Sequence, residues 1–339
     1  MKTPTVTTMR MTHSIIGITL ILLACSGGNS ASHNAAPSAP VVADSATWGR
    51  FDADSAYAHI ARQLDFGPRV PGTDAHTRCA DYLTSAFAAY GADTVVTQRT
   101  DVTTYDGRTL PARNILARFN TSAPRRILIA AHYDTRPWAD EDPDPANRDK
   151  PIPGANDGAS GVGVALELAR QLGLQSASIG VDFLMVDAED MGPRADEDTS
   201  DGWCLGSAAW ASALPYQPVD RPAYGILLDM VGGDGAIFTR EYFSERQAPG
   251  AVAKVWDAAD REGVSRFVNS VAGAVTDDHI NISRAGIPCI DIIECANPDT
   301  GSFPPYWHTI ADDLSHISKA TLSDVGRTLM RVIYTEKPE

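Results

Sequence analysis

The chain has 339 residues, 43 % of them apolar, and carries a formal charge of −15 at pH 7. So acidic a balance argues against nucleic acid or an anionic membrane face as a partner and fits an acidic enzyme. Its five cysteines include no C-x-x-C pair, which argues against a thiolate zinc site.

The first 24 residues read as a leader rather than as part of the fold. Lys2 and Arg10 make a positive start, and Ile15 to Leu23 is an apolar stretch too short to span a bilayer. It ends in Leu22-Leu23-Ala24-Cys25, which resembles the lipobox of bacterial lipoproteins and implies cleavage before Cys25 and acylation of its thiol. The alternative is an ordinary secretory signal with an incidental cysteine. Residues 25–43, rich in Gly, Ser, Ala and Pro, read as a flexible tether. The expectation is therefore an exported monomer, lipid-anchored at the cell envelope on the periplasmic or outer-membrane side. It would touch the membrane only through its lipid and carry one domain over 44–339.

Helical apolar spacing runs over 52–64 and 74–90, with Pro68 to Gly72 as a break between them. Thr94 to Thr97, Asn114 to Phe119 and Arg126 to Ala131 read as strands, the last a central one. A loop heavy in Asp and Pro follows from Asp134 to Gly154, of a length that is usually either functional or disordered. Gly158 to Leu172 is a helix with Val162, Ala165, Leu166, Ala169 and Leu172 on one face. Strands are expected at 179–186, 224–231 and 288–294, and helices at 203–213, 251–262, 277–285 and 318–334. This alternation predicts an α/β fold: a single domain with a central, mostly parallel (mixed) twisted sheet and helices on both faces. Cys79, Cys204, Cys289 and Cys295 are taken as buried free thiols, with pairing left open.

Five scattered stretches supply side chains suited to a metal hydrolase: His132-Tyr133-Asp134, the Gly-rich turn 154–161, Asp187 to Asp190, Leu228-Asp229-Met230 and Tyr306 to Thr309. Each follows or flanks a strand-like run, and loops at the carboxyl ends of parallel strands converge. Zinc in an enzyme takes ligands from His, Asp and Glu and leaves one position open for substrate. Asp157 alone could be a helix cap. Glu189-Asp190, after seven largely apolar residues, puts one carboxylate on a metal and leaves its neighbour free to move protons.

The order H-x-D, G-A-N-D-x-x-S-G, an acidic pair, L-D and a late His resembles the co-catalytic zinc aminopeptidase family, and implies its zinc exopeptidase-like fold. Within it, H-Y-D-T-R-P-W-A from His132, D-A-E-D from Asp187, Trp203 with Cys204 to Ser207, D-D-H-I from Asp277 and F-P-P-Y-W-H-T from Phe303 resemble the bacterial secreted branch of the glutaminyl-peptide cyclotransferases. The resemblance runs from about Asp52 to Tyr334. It implies one zinc per chain held by Asp157, Asp190 and His308, with Glu189 as general acid and base. Asp229 and Asp277 would share its proton network, and Trp203, Phe303 and Trp307 would line the pocket. The implied substrates are peptides or proteins with N-terminal Gln. Animal cyclases carry Glu-Glu where this chain has Glu189-Asp190, so one ligand is a methylene shorter. The aminopeptidase alternative puts a second zinc on His132 and Asp229, with Asp157 bridging. A non-catalytic binding protein is disfavoured by the presence of both Glu189 and His308.

Overall fold

The computed structural model describes residues 47–194, 197 and 201–339. The leader and tether expected over 1–43 lie outside the described residues. Eight strands form in chain order: β1 (Thr94–Thr103), β2 (Thr109–Phe119), β3 (Arg126–His132), β4 (Gly180–Val186), β5 (Gly225–Asp229), β6 (Phe238–Arg240), β7 (Phe267–Val271) and β8 (Cys289–Ile293). Six of them build the central sheet in the order β1-β2-β4-β3-β5-β8. β3 runs parallel to β4 and β5, and β5 parallel to β8, whereas β2 is antiparallel to both β1 and β4.

Every residue of β3, β4, β5 and β8 is buried, because parallel strands need cover on both faces and are therefore written as continuous apolar runs. Alternate residues serve opposite faces. Ile127 and Ile129 with Val181 and Phe183 join one core, while Leu128 and Ala130 with Leu184 and Val186 join a second. The first core packs under α1 (Ala53–Leu64), α2 (Asp74–Ala89), α3 (Ala159–Leu174), α6 (Pro249–Arg261) and α8 (Lys319–Thr335). The second packs under Trp210 of α4 (Leu205–Ser212) and Ile282 of α7 (Asp278–Arg284). A short α5 (Tyr242–Gln247) follows β6.

Of α3 only Arg170, Gly173 and Leu174 escape burial. Its glycines set how close it lies: a Cβ at Gly161 would stand 2.1 Å from the Leu228 carbonyl, and one at Gly163 2.8 Å from that of Ala56. The helix that begins at the Gly-rich turn is thus wedged between β5 and α1.

The differences from expectation lie at the polar edge and among short elements. β1 and β2 are longer than expected and pair antiparallel from Thr94↔Arg118 to Thr103↔Thr109. β1 alternates exposed and half-buried residues, so its apolar signal stops early. β6, β7 and α5 are too short to show a period. The acidic loop has one 3-10 turn, Pro145–Asn147, capped by Asp144. Among the described residues no helix is long and apolar enough to cross a membrane. Cys79, Cys204, Cys289 and Cys295 are all free and buried.

Candidate active site

The site lies at the carboxyl ends of the parallel strands, where an open α/β sheet places its loops side by side. β3 ends in His132, paired with Val186 at the end of β4, and β5 ends in Asp229, paired with Ile293 at the end of β8. The Gly-rich turn before α3 brings in Asp157, whose peptide to Gly158 is cis. Asp187 to Asp190 leave β4, and His308 enters from the loop beyond β8.

Asp157 is shared by two groups of donors. On one side its Oδ1 lies 3.0 Å from Nε2 of His132, which is also 3.2 Å from Oδ1 of Asp229. On the other its Oδ2 lies 3.6 Å from Nε2 of His308, which is 3.2 Å from Oδ1 of Asp190. In each triad one donor atom per residue lies within 4.8 Å of the others. Asp157, Asp190 and His308 make a carboxylate–carboxylate–imidazole set suited to tetrahedral zinc. Oδ2 of Asp190 is buried with no hydrogen-bond partner among the described residues, as a free ligand oxygen would be. The residues present therefore fit zinc.

Carboxylates that bind no metal aim the ones that would. Asp134 accepts the backbone N–H groups of Glu189 and Asp190 at 3.1 and 3.2 Å. Asp312 does the same for Asn156 and Asp157 at 2.8 and 3.1 Å. Arg69, fully buried, donates to the carbonyls of Tyr133, Pro153 and Gly154 and ties the end of β3 to the Gly-rich turn. Asp187 accepts from the Tyr133 hydroxyl and from the Arg113 and Ala188 N–H groups, and meets His76 Nε2 at 2.8 Å. Ala188, Cys204, Met230 and His308 hold left-handed φ values of 48° to 56°. Such backbone is costly for non-glycine residues and concentrates at working sites.

Asp157, Glu189, Asp190, Asp229, Asp277 and His308 share one cavity of about 620 Å³ with Trp203, Phe303 and Trp307. The His308 ring stacks on Trp307 at 3.6 Å and on Trp203 at 6.0 Å between centroids, and Phe303 lies against Trp307 at 4.5 Å. Arg136 lies over Trp203 and reaches Oδ1 of Asp190 at 3.4 Å. Burial, then the charge of Asp277, pushes Glu189 well above the usual carboxylate range. Burial also lifts Asp229 to about 7, against the pull of His132 and with help from Asp157 and Asp277. A nest of acids this short of counter-charge favours either a cation or bound protons.

All the residues expected to bind metal, move protons or line the pocket thus meet in one place. His132 is buried against Asp157 and Asp229 rather than lining that cavity. The orienting residues Arg69 and Asp312 carried no sequence signal of their own, and Arg136 and Cys204 stood in recognised stretches without a role. Asp134 stood in a recognised stretch but without a role.

Residues 114–333 match the profile of peptidase family M28. The chain is 46 % identical to a solved glutaminyl cyclase of Bacteroides thetaiotaomicron bound to N-acetylhistamine, with a TM-score of 0.83 over 86 % of this chain and 100 % of that one. It is 28 % identical over 63 % of its length to an aminopeptidase of Bacillus subtilis, and 25 % identical over 64 % to a glutaminyl-peptide cyclotransferase of Gloydius blomhoffii. It spans 42 % and 63 % of the lengths of these two curated relatives.

Proposed function

The chain belongs to peptidase family M28, and from that membership we propose that it is a zinc-dependent glutaminyl-peptide cyclotransferase, turning the N-terminal Gln of peptides and proteins into pyroglutamate with release of ammonia. The observation that carries the reading is the place of Asp277. It belongs to neither Asp157-centred triad, yet a carboxylate oxygen of it lies within 4.8 Å of a Glu189 oxygen and the Cys204 sulfur. A carboxyl there suits a reaction that moves one proton from an amine to departing ammonia and consumes no water.

An N-terminal Gln carries amine and γ-carboxamide on one short chain, so ring closure needs mainly positioning and polarisation. Asp157, Asp190 and His308 would hold one zinc, which when bound supplies Lewis acidity at the γ-carbonyl oxygen. Glu189 takes a proton from the α-amine as its nitrogen bonds to the γ-carbon, then returns it to the amide nitrogen as that C–N bond breaks. Asp229, lifted to about 7 by burial, is the carboxyl that holds a proton beside Glu189 and Asp277 and so limits the negative charge of the cluster. Trp203, Phe303 and Trp307 exclude water and fold the side chain toward its cyclic shape.

The second reading, a two-zinc aminopeptidase, is favoured by the His132–Asp157–Asp229 triad. A Gln-peptide decides between them: the zinc-loaded enzyme should release ammonia, and chelation should stop it. Absence of ammonia would end the cyclase reading. We also propose that the leader is removed and Cys25 acylated, anchoring the enzyme at the cell envelope. Cys25→Ser should then take up no labelled fatty acid, and continued labelling would overturn the anchor.

A further inference from the structure

Glu189 must present its carboxylate to a substrate nitrogen, yet its side chain is long and its own backbone is fixed by Asp134. Among the described residues, the one hydrogen bond to that carboxylate comes from the Cys204 thiol, with Sγ 3.4 Å from Oε1. The thiol and the N–H of Cys204 both engage Glu189, and its carbonyl faces other partners. Its N–H donates to the Glu189 carbonyl at 2.8 Å, and its own carbonyl accepts from Nδ2 of Asn281 at 3.2 Å. Asn281 lies on α7, the helix that opens at Asp277, and the same Nδ2 reaches Ser207 on α4 at 3.0 Å. Cys204 itself holds a left-handed φ of 56°.

We propose that Cys204 is the positioning residue for Glu189, its thiol holding Oε1 and so fixing the rotamer that leaves the other oxygen for substrate. Three observations favour this over a cysteine that merely fills space. The thiol meets a carboxylate rather than an apolar neighbour. Deep burial keeps the thiol protonated and therefore a donor. The residue also ties the strand end that carries Glu189 to the helix that carries Asp277, so the two carboxyls are set by one junction.

The inference rests on Glu189 as the proton carrier, a role it has in both the cyclase and the aminopeptidase readings. The experiment uses the zinc-loaded full chain and whichever substrate the wild type turns over, a Gln-peptide or an aminoacyl amide. A wild type that released amino acids instead of ammonia would sink the cyclase reading and leave this comparison intact. A space-filling cysteine and a positioning donor predict opposite orders for two variants. For a donor, Cys204→Ser keeps an O–H, so kcat should stay within about threefold, while Cys204→Ala should lose about tenfold with KM and zinc content unchanged. For a filler, Ala tolerates the site better than a hydroxyl, so kcat for Ala equal to or above Ser overturns the proposal. A loss seen only in KM or zinc content also overturns it. The folded wild type gives a second measurement if Cys204→Ala does not fold. Its S–H stretching band, assigned by subtracting the Cys204→Ser spectrum, should lie below that of a free thiol and shift in Glu189→Gln. A band at the free-thiol position contradicts the hydrogen bond.

Discussion

Glu241, fully buried just after β6, gathers one wall of the pocket. Its Oε1 accepts the N–H groups of Phe243 at 2.9 Å and Val275 at 3.1 Å. Its Oε2 accepts the N–H and hydroxyl of Ser244 at 2.6 and 2.8 Å, and Nε2 of His279 stands 3.3 Å away. Ser244 in turn accepts the N–H of Asp291 on β8, and Val275 lines the cavity. Burial alone would raise the pKa of Glu241, but His279 and the N–H groups of Phe243 and Ser244 outweigh it and hold the group at about 2, below its ordinary 4.5. That difference corresponds to about 3 kcal/mol of stability. The folded pKa is depressed, so this contribution is present above the unfolded value and is lost as pH falls through the folded one. Glu241→Gln removes the titration. Urea unfolding followed by tryptophan fluorescence should show the variant less stable by about 3 kcal/mol at pH 7, with the gap closing as pH falls from about 5 toward 2. A gap of the same size at pH 7 and at about pH 2.5 would refute an ionised, hydrogen-bonded Glu241.

Glu189→Gln keeps the shape of the side chain but cannot take up a proton; turnover should fall by at least about 100-fold with zinc retained, whereas Asp190→Ala should lose the metal. Equilibrium dialysis should give close to one zinc per chain, unchanged in His132→Ala; two tightly held ions, one lost in that variant, would shift the assignment to the aminopeptidase. A Cβ at Gly192 would stand 2.0 Å from the Trp203 ring, so Gly192→Ala must displace the indole from His308. KM should rise about tenfold with zinc content unchanged, and a normal KM would remove Trp203 from substrate binding.

How much of this was legible in the sequence follows from what each residue type must satisfy. The buried parallel strands announced themselves because burial on both faces demands apolar runs such as Ile127 to Ala131. The side chains that meet at their ends could be picked out because each acid or imidazole interrupts or follows such a run. The orienting shell gave no comparable sign. Asp312 clamps Asn156 and Asp157 from 155 residues away in sequence, and Arg69 sits in a segment that reads only as a break between helices. Their partners are backbone groups, which have no sequence signature. Cys204 stood in a recognised stretch, yet its contact with Glu189 stayed hidden, since neither the left-handed turn nor the facing carboxylate can be read from the one-dimensional pattern. β1 and the start of β2 give only a short apolar signal because most of their residues are exposed or half-buried.

The most direct test of the account is a single incubation of the zinc-loaded enzyme with a peptide bearing N-terminal Gln, analysed by mass spectrometry. The account predicts one product, the intact peptide lighter by one molecule of ammonia and blocked to Edman degradation. Free glutamine together with a peptide shortened by one residue would contradict it.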